Sequence, residues 1–170
     1  MYKRQIFSDL GIGPAVIQHR NLSRRDLGGI FSLTLWSAAV IALLFFAASG
    51  LIASFYDDSA QLRDICRILA LNLFFATANI VPNALVMRDK RFRFAAVRSL
   101  AVQVVGGAAG IAAAYAGAGI YALTINPVFS SLMLFAINYR EYPLRIRLRP
   151  SRGAIRKVFS FSAYQFSFQL

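Results

Sequence analysis

The sequence predicts an all-α integral membrane protein. Three observations carry that expectation: an apolar-rich composition, three long runs without charge, and basic residues gathered in alternate connections. The 170 residues are 58% hydrophobic and 15% charged, with mean hydropathy +0.55; ordinary globular chains are about 45–50% apolar and about 25% charged. A disordered tail is excluded, because such tails lack apolar residues to bury. A disulfide-stapled secreted scaffold is excluded too, since Cys66 is the one cysteine.

Taken in order, Met1–Gln5 (MYKRQ) reads as a foreign leader, the translation of a sequencing-adapter end, and is set apart at 1–5. Ile6–Ile17 offers 12 apolar-rich residues before Gln18-His19-Arg20, too few to cross a bilayer. Leu27–Tyr56, Ile68–Met87 and Ser99–Tyr139 are free of Asp, Glu, Lys and Arg over 30, 20 and 41 residues. A bilayer core of about 30 Å takes about 20 helical residues, so the third run must cross twice. Gly117-Ala118-Gly119 marks its turn. Four full spans follow, near 28–54, 68–87, 99–116 and 120–138, within a membrane lobe at 6–157. Val158–Leu170 begins a further helix and stops after 13 residues. A chain ending inside a membrane helix leaves backbone groups unsatisfied, so a piece of a longer, transporter-sized protein is expected.

The net charge of +12 would suggest nucleic acid in a soluble chain. Its placement argues otherwise. Connections 18–26, 88–98 and 140–157 hold fifteen Lys and Arg, whereas 57–67 and 117–119 hold two. That is the positive-inside bias, and it puts the three basic loops in the cytoplasm. The partner implied is the lipid bilayer, with no nucleic acid.

Within the spans, Asn72, Asn79 and Asn83 fall at +7 and +4 and share one helix face. They read either as a polar cavity wall for a hydroxyl-rich substrate or as hydrogen-bonding glue between helices. Pro82 frees the Ala78 carbonyl and predicts a kink. Asn126-Pro127 predicts a second interruption, and Gly106-x-x-x-Gly110 a close-packing face rather than a phosphate loop. Asp9, an acid inside an apolar segment, is a candidate for a coupling role or for a salt bridge at a helix end. Cys66 has no metal-ligand companions, and no Ser/His/Asp set or carboxylate pair supports hydrolysis. No metal, no cofactor and no enzymatic activity are expected.

The residues also resemble a known family. FSDLGIGPAVIQHRNLSRRDLGGIF (Phe7–Phe31), NIVPNALVMRDKRFRFAAVRSL (Asn79–Leu100), GAGIYALTINPVF (Gly117–Phe129) and FSFSAYQF (Phe159–Phe166) are similar to polysaccharide-type flippases. These belong to the multidrug/oligosaccharidyl-lipid/polysaccharide superfamily. Two departures stand out: Tyr121 where many relatives carry Trp, and Asn126-Pro127 in place of a commoner Gln-x. The resemblance implies that residues 6–170 run from the second helix to the start of the seventh, a fragment of the first six-helix lobe of a two-lobe fold. It implies a multi-pass protein of the cell inner membrane. The function implied is flipping a lipid-linked oligosaccharide, carried on undecaprenyl diphosphate, to the outer leaflet for polysaccharide, lipopolysaccharide or O-antigen synthesis.

Glycan polymerase machinery is a further partner in that setting. Arg88, Arg91 and Arg93 are then candidates to contact the diphosphate, with ordinary topology-setting arginines as the plain alternative. A multidrug-type exporter is the nearest alternative; it would carry deeper acids in its first helix. A glycan polymerase or ligase would carry a large outward loop with Arg or His, whereas 57–67 and 117–119 are short.

Overall fold

Ser23 opens the first long helix through a reciprocal cap. The Asp26 amide donates to Ser23 Oγ at 3.2 Å, and the Ser23 amide donates to Asp26 Oδ2 at 3.3 Å. In the computed structural model, residues 13, 16, 17, 23–55 and 60–144 are described. Helix α1 runs Arg24–Ser54, α2 Ala60–Ala78, α3 Ile80–Arg88, α4 Phe92–Tyr115 and α5 Ala122–Glu141, the last entered through a 3₁₀ turn at Gly119–Tyr121. Helices α2 and α3 together make one apolar stretch, Ala60–Arg88, so among the described residues four helices are long and apolar enough to cross a membrane. Asp9, His19 and residues 145–170 lie outside the described residues.

Three of the helices start upstream of the charge-free runs that mark the expected spans. Helix α1 starts at 24 rather than 28, because its capping box lies upstream of the apolar window. Helix α2 starts at 60 rather than 68 and absorbs most of the expected connection 57–67. Its charges are accommodated on the helix: Arg67 lies 3.7 Å from Asp64 and places its guanidinium 5.4 Å from the Phe46 ring centre. Helix α4 starts at 92 rather than 99 and carries Arg93 and Arg98 with it. Long cationic side chains can lay their stems on apolar surface, so charge marks the edge of the hydrocarbon better than the end of a helix.

Two turns end helices in the same way. After α4, the Ala118 amide donates to the Ala113 carbonyl at 3.0 Å and the Gly117 amide to Ala114 at 3.1 Å, with Gly117 at φ 86°. After α3, Arg91 donates to Val86 at 3.3 Å and Lys90 to Met87 at 3.0 Å, with Lys90 at φ 56°. Both are Schellman ends, one with the expected glycine and one with lysine in a left-handed position.

The prolines behave differently from each other. Pro82 has no N–H for the Ala78 carbonyl, and the helix is interrupted at Asn79 as expected. Pro127 lies inside an unbroken α5, a correction to the expected interruption. It is the sixth residue of that helix, so the one carbonyl it deprives, that of Leu123, lies in the first turn.

Helix α1 packs on α2, α2 on α5, and α4 on α5. The α4–α5 seam is close at Gly106, where an added Cβ would lie 2.6 Å from Asn126 Oδ1 and 2.9 Å from Ser130 Oγ. The small-residue face expected from Gly106-x-x-x-Gly110 is therefore a helix–helix contact. The buried core sits toward the arginine-rich end and comprises Val16, Leu27, Ile30, Phe31, Val81, Ala84 and Leu85. Rings extend it: Phe31 lies 5.9 Å from Tyr139, Tyr139 5.8 Å from Phe135, and Phe135 6.0 Å from Phe75. Elsewhere large apolar side chains stand outward, among them Leu43, Leu44, Leu51, Leu100 and Leu123. Only 22–28% of each span's apolar window is buried. In water that surface would be prohibitive; in lipid it is solvated.

Candidate functional site

The asparagine face of the second span resolves into separate contacts. Asn79, at the break made by Pro82, accepts a 2.7 Å hydrogen bond from Asn138 Nδ2 on α5. Asn83, one turn on, accepts from Arg98 NH2 on α4 at 3.0 Å. Each asparagine thus ties α3 or its start to a different neighbour. Asn79 and Asn83 also line a cavity of about 230 Å³ with Gly13, Ile17, Ala76, Ile80, Ala84 and Met87. Asn72 is part-buried on α2, two turns away from Asn79, and does not line that cavity. The structure therefore brings Asn79 and Asn83 to one cavity and leaves Asn72 apart.

Two polar residues of this cluster escaped the sequence reading. Arg98 is 6% exposed; its guanidinium lies 5.7 Å from the Phe94 ring, and its Nε and NH1 atoms are buried without a hydrogen-bond partner among the described residues. The readable signal was Phe94 four residues earlier, a spacing that stacks an arginine on an aromatic ring along a helix. Asn138 is fully buried, with its Oδ1 unpaired among the described residues. It sits 59 positions from its partner Asn79, so no local spacing could announce it.

The described ends of the three arginine-rich connections come together at one end of the bundle. A cleft of about 720 Å³ is lined there by Arg24, Arg25, Arg88, Asp89, Glu141 and Tyr142, with Leu27, Gly28, Leu85, Pro143 and Leu144 as its apolar wall. Of the arginines proposed from sequence, only Arg88 lines it. Its Nε lies 3.8 Å from Asp89, and its NH1 is buried with no hydrogen-bond partner among the described residues. Arg91 is instead taken by Glu141, to which NH1 donates, and lies over the Phe94 ring at 5.4 Å. The Glu141 hydrogen bond holds the Arg91 guanidinium above the usual arginine range. Arg93 is exposed and lies outside the cleft lining. Tyr142 donates its hydroxyl to Asp89 at 2.5 Å. Burial first, and then that bond, push the phenol above its ordinary value.

Chemically, the described residues offer hydrogen-bonding amides within the spans and guanidinium groups at one end of the bundle. Four membrane-length apolar helices with polar side chains turned between them define a multi-pass helical membrane protein. The chain belongs to the polysaccharide biosynthesis protein family, whose family model matches residues 3–170. That membership agrees with the flippase-type resemblance carried by Asn79–Leu100 and Gly117–Phe129, and gives the chain a role in polysaccharide biosynthesis or export. No curated protein and no solved structure matches it.

Proposed function

We propose that this chain is part of a carrier that moves a lipid-linked oligosaccharide from the cytoplasmic to the outer leaflet of the cell inner membrane. The observation that carries the reading is the pairing of the half-buried amides of Asn79 and Asn83 and the buried amide of Asn138 with an arginine-lined cleft at the same bundle end. A sugar headgroup loses its hydration on leaving water, and amides can return hydrogen bonds to its hydroxyls. A diphosphate needs cations, and guanidinium groups meet phosphate oxygens with paired donors. Undecaprenyl diphosphate is the carrier proposed, and lipopolysaccharide or O-antigen synthesis the pathway. Asp9 is the proposed coupling group. Movement requires no bond to be made or broken, so the reading assigns no enzymatic step.

The test is glycan export by cells expressing the full-length protein with Arg88→Ala or Asn83→Ala. Export normalised to inserted protein is expected to fall about tenfold, the loss of one charge-assisted hydrogen bond of about 1.5–3 kcal/mol at its lower limit. Normal export from a stably inserted double variant would overturn the assignment of these contacts.

A further inference from the structure

Arg98, buried on α4, donates from NH2 to Asn83 Oδ1 at 3.0 Å while its guanidinium lies over the Phe94 ring. A guanidinium carries N–H donors and no acceptor. Whichever end of the Asn83 amide meets it must be the oxygen, so this bond fixes the sense of the amide as well as its place. Asn79 is tied in the same sense, its Oδ1 accepting from Asn138 Nδ2. Two amides can exchange roles, however, whereas a guanidinium and an amide cannot.

Arg98 and Asn138 both lie outside the lining of the cavity of about 230 Å³ that Asn79 and Asn83 share. The Asn83 backbone amide donates to the Asn79 carbonyl at 2.9 Å, so the two side chains lie one helical turn apart on one face. Each gives its oxygen to a neighbouring helix, and neither Nδ2 has a hydrogen-bond partner among the described residues. The rest of the lining is apolar, from Gly13 and Ile17 on one side to Ala84 and Met87 on the other. The side chains around this cavity therefore offer it N–H donors and no acceptor. Its volume falls below the about 300–1,000 Å³ of a site for a whole drug-sized ligand, which suits one sugar residue rather than an oligosaccharide.

We propose that Arg98 is a positioning residue that holds Asn83 with its Nδ2 donating into the cavity, so that the cavity admits a sugar residue by an oxygen acceptor and rejects an amine. The inference rests on the carrier reading above and adds to it the chemistry of the group admitted. An acetamido carbonyl accepts what the amides offer. An ammonium brings only donors, leaves the amides unpaired and meets the nearby Arg98 charge.

The test is binding by the full-length protein, in neutral detergent micelles at mildly acidic pH, of two lipids that differ in one group. These are undecaprenyl-diphosphate N-acetylglucosamine and its free-amine form, undecaprenyl-diphosphate glucosamine. The native protein is expected to bind the acetylated lipid at least tenfold more tightly. Asn83→Asp keeps an oxygen for Arg98 but has no N–H to give, so it should unfold no more easily than the native protein and lose that preference. Arg98→Lys, which can still only donate, should keep the preference. Arg98→Gln, which can also accept from Asn83, should lose it; if that variant does not fold, Asn83→Asp decides, because Arg98 retains its partner there. Asn83→Asp with the native preference would mean a tie between helices and nothing more, and would overturn the proposal. Equal, tight binding of both lipids by the native protein would overturn it too, while leaving the carrier reading standing. Binding of neither lipid would overturn the carrier reading and this inference with it.

Discussion

Replacing Gly106 by alanine probes a close contact between α4 and α5. The new Cβ would lie 2.6 Å from Asn126 Oδ1, 2.9 Å from Ser130 Oγ and 3.4 Å from Phe129 Cδ1. The first two are side-chain ends, so the cheapest relief turns Asn126 away and gives up the 3.0 Å bond it accepts from Ser130. Overpacking of this kind costs about 1–3 kcal/mol. Alanine returns about 0.8–1.0 kcal/mol over glycine in a helix. Gly107 is the internal control, since nothing lies within 4 Å of a Cβ there; its alanine variant collects the gain alone. The two variants should therefore differ by about 1–3 kcal/mol, with Gly107→Ala the more stable. Unfolding in mixed dodecylmaltoside and sodium dodecyl sulfate micelles, followed by far-ultraviolet circular dichroism, measures the difference. Equal midpoints would refute the close approach of α4 to α5.

Other expectations follow from single contacts. Lys90→Gly should raise stability by about 0.5–1 kcal/mol, because lysine is strained at a left-handed φ that glycine adopts freely. Gly117→Ala should lower it by about 1 kcal/mol for the converse reason, both read in the same unfolding titration. Asn79→Leu should cost about 1–2 kcal/mol by stranding the buried Asn138 amide, and adding Asn138→Leu should recover part of that loss. A double-mutant cycle that is simply additive would contradict the 2.7 Å bond between them. Tyr142 should ionise above the ordinary tyrosine midpoint of about 10, visible as the difference in phenolate absorbance between the native chain and Tyr142→Phe. The raised folded-state value means its stabilising contribution is complete below pH about 10. That contribution is lost as pH rises through the folded value, so the native chain should lose stability relative to Tyr142→Phe at high pH.

Much of this architecture is written locally. The charge-free runs locate the spans, Gly117 locates the turn, and Pro82 locates the break at Asn79. Each depends on one residue's own chemistry or on a continuous stretch. The helix ends were less legible, because Arg63, Asp64 and Arg67 read as loop residues by charge alone. On α2, Asp64 and Arg67 pair with each other and Arg67 reaches the Phe46 ring, so they extend the helix beyond the hydrocarbon. The site was half legible. Asn79 and Asn83 follow from their spacing, whereas Asn138 and Arg98 become partners only once three helices have packed. Arg91 and Arg88 look equivalent in sequence. Glu141, arriving from the end of α5, occupies Arg91 and leaves Arg88 facing the cleft.

The central claim is leaflet-to-leaflet movement of a lipid-linked glycan, and a reconstituted vesicle tests it most directly. The full-length protein is placed in liposomes loaded with fluorescently labelled undecaprenyl-diphosphate oligosaccharide, and inner-leaflet label is followed by its accessibility to external dithionite. The account predicts that protein-containing vesicles lose most of the protected fluorescence and that Arg88→Ala slows the loss about tenfold. Protection equal to that of protein-free liposomes, with the protein folded and inserted, would contradict it.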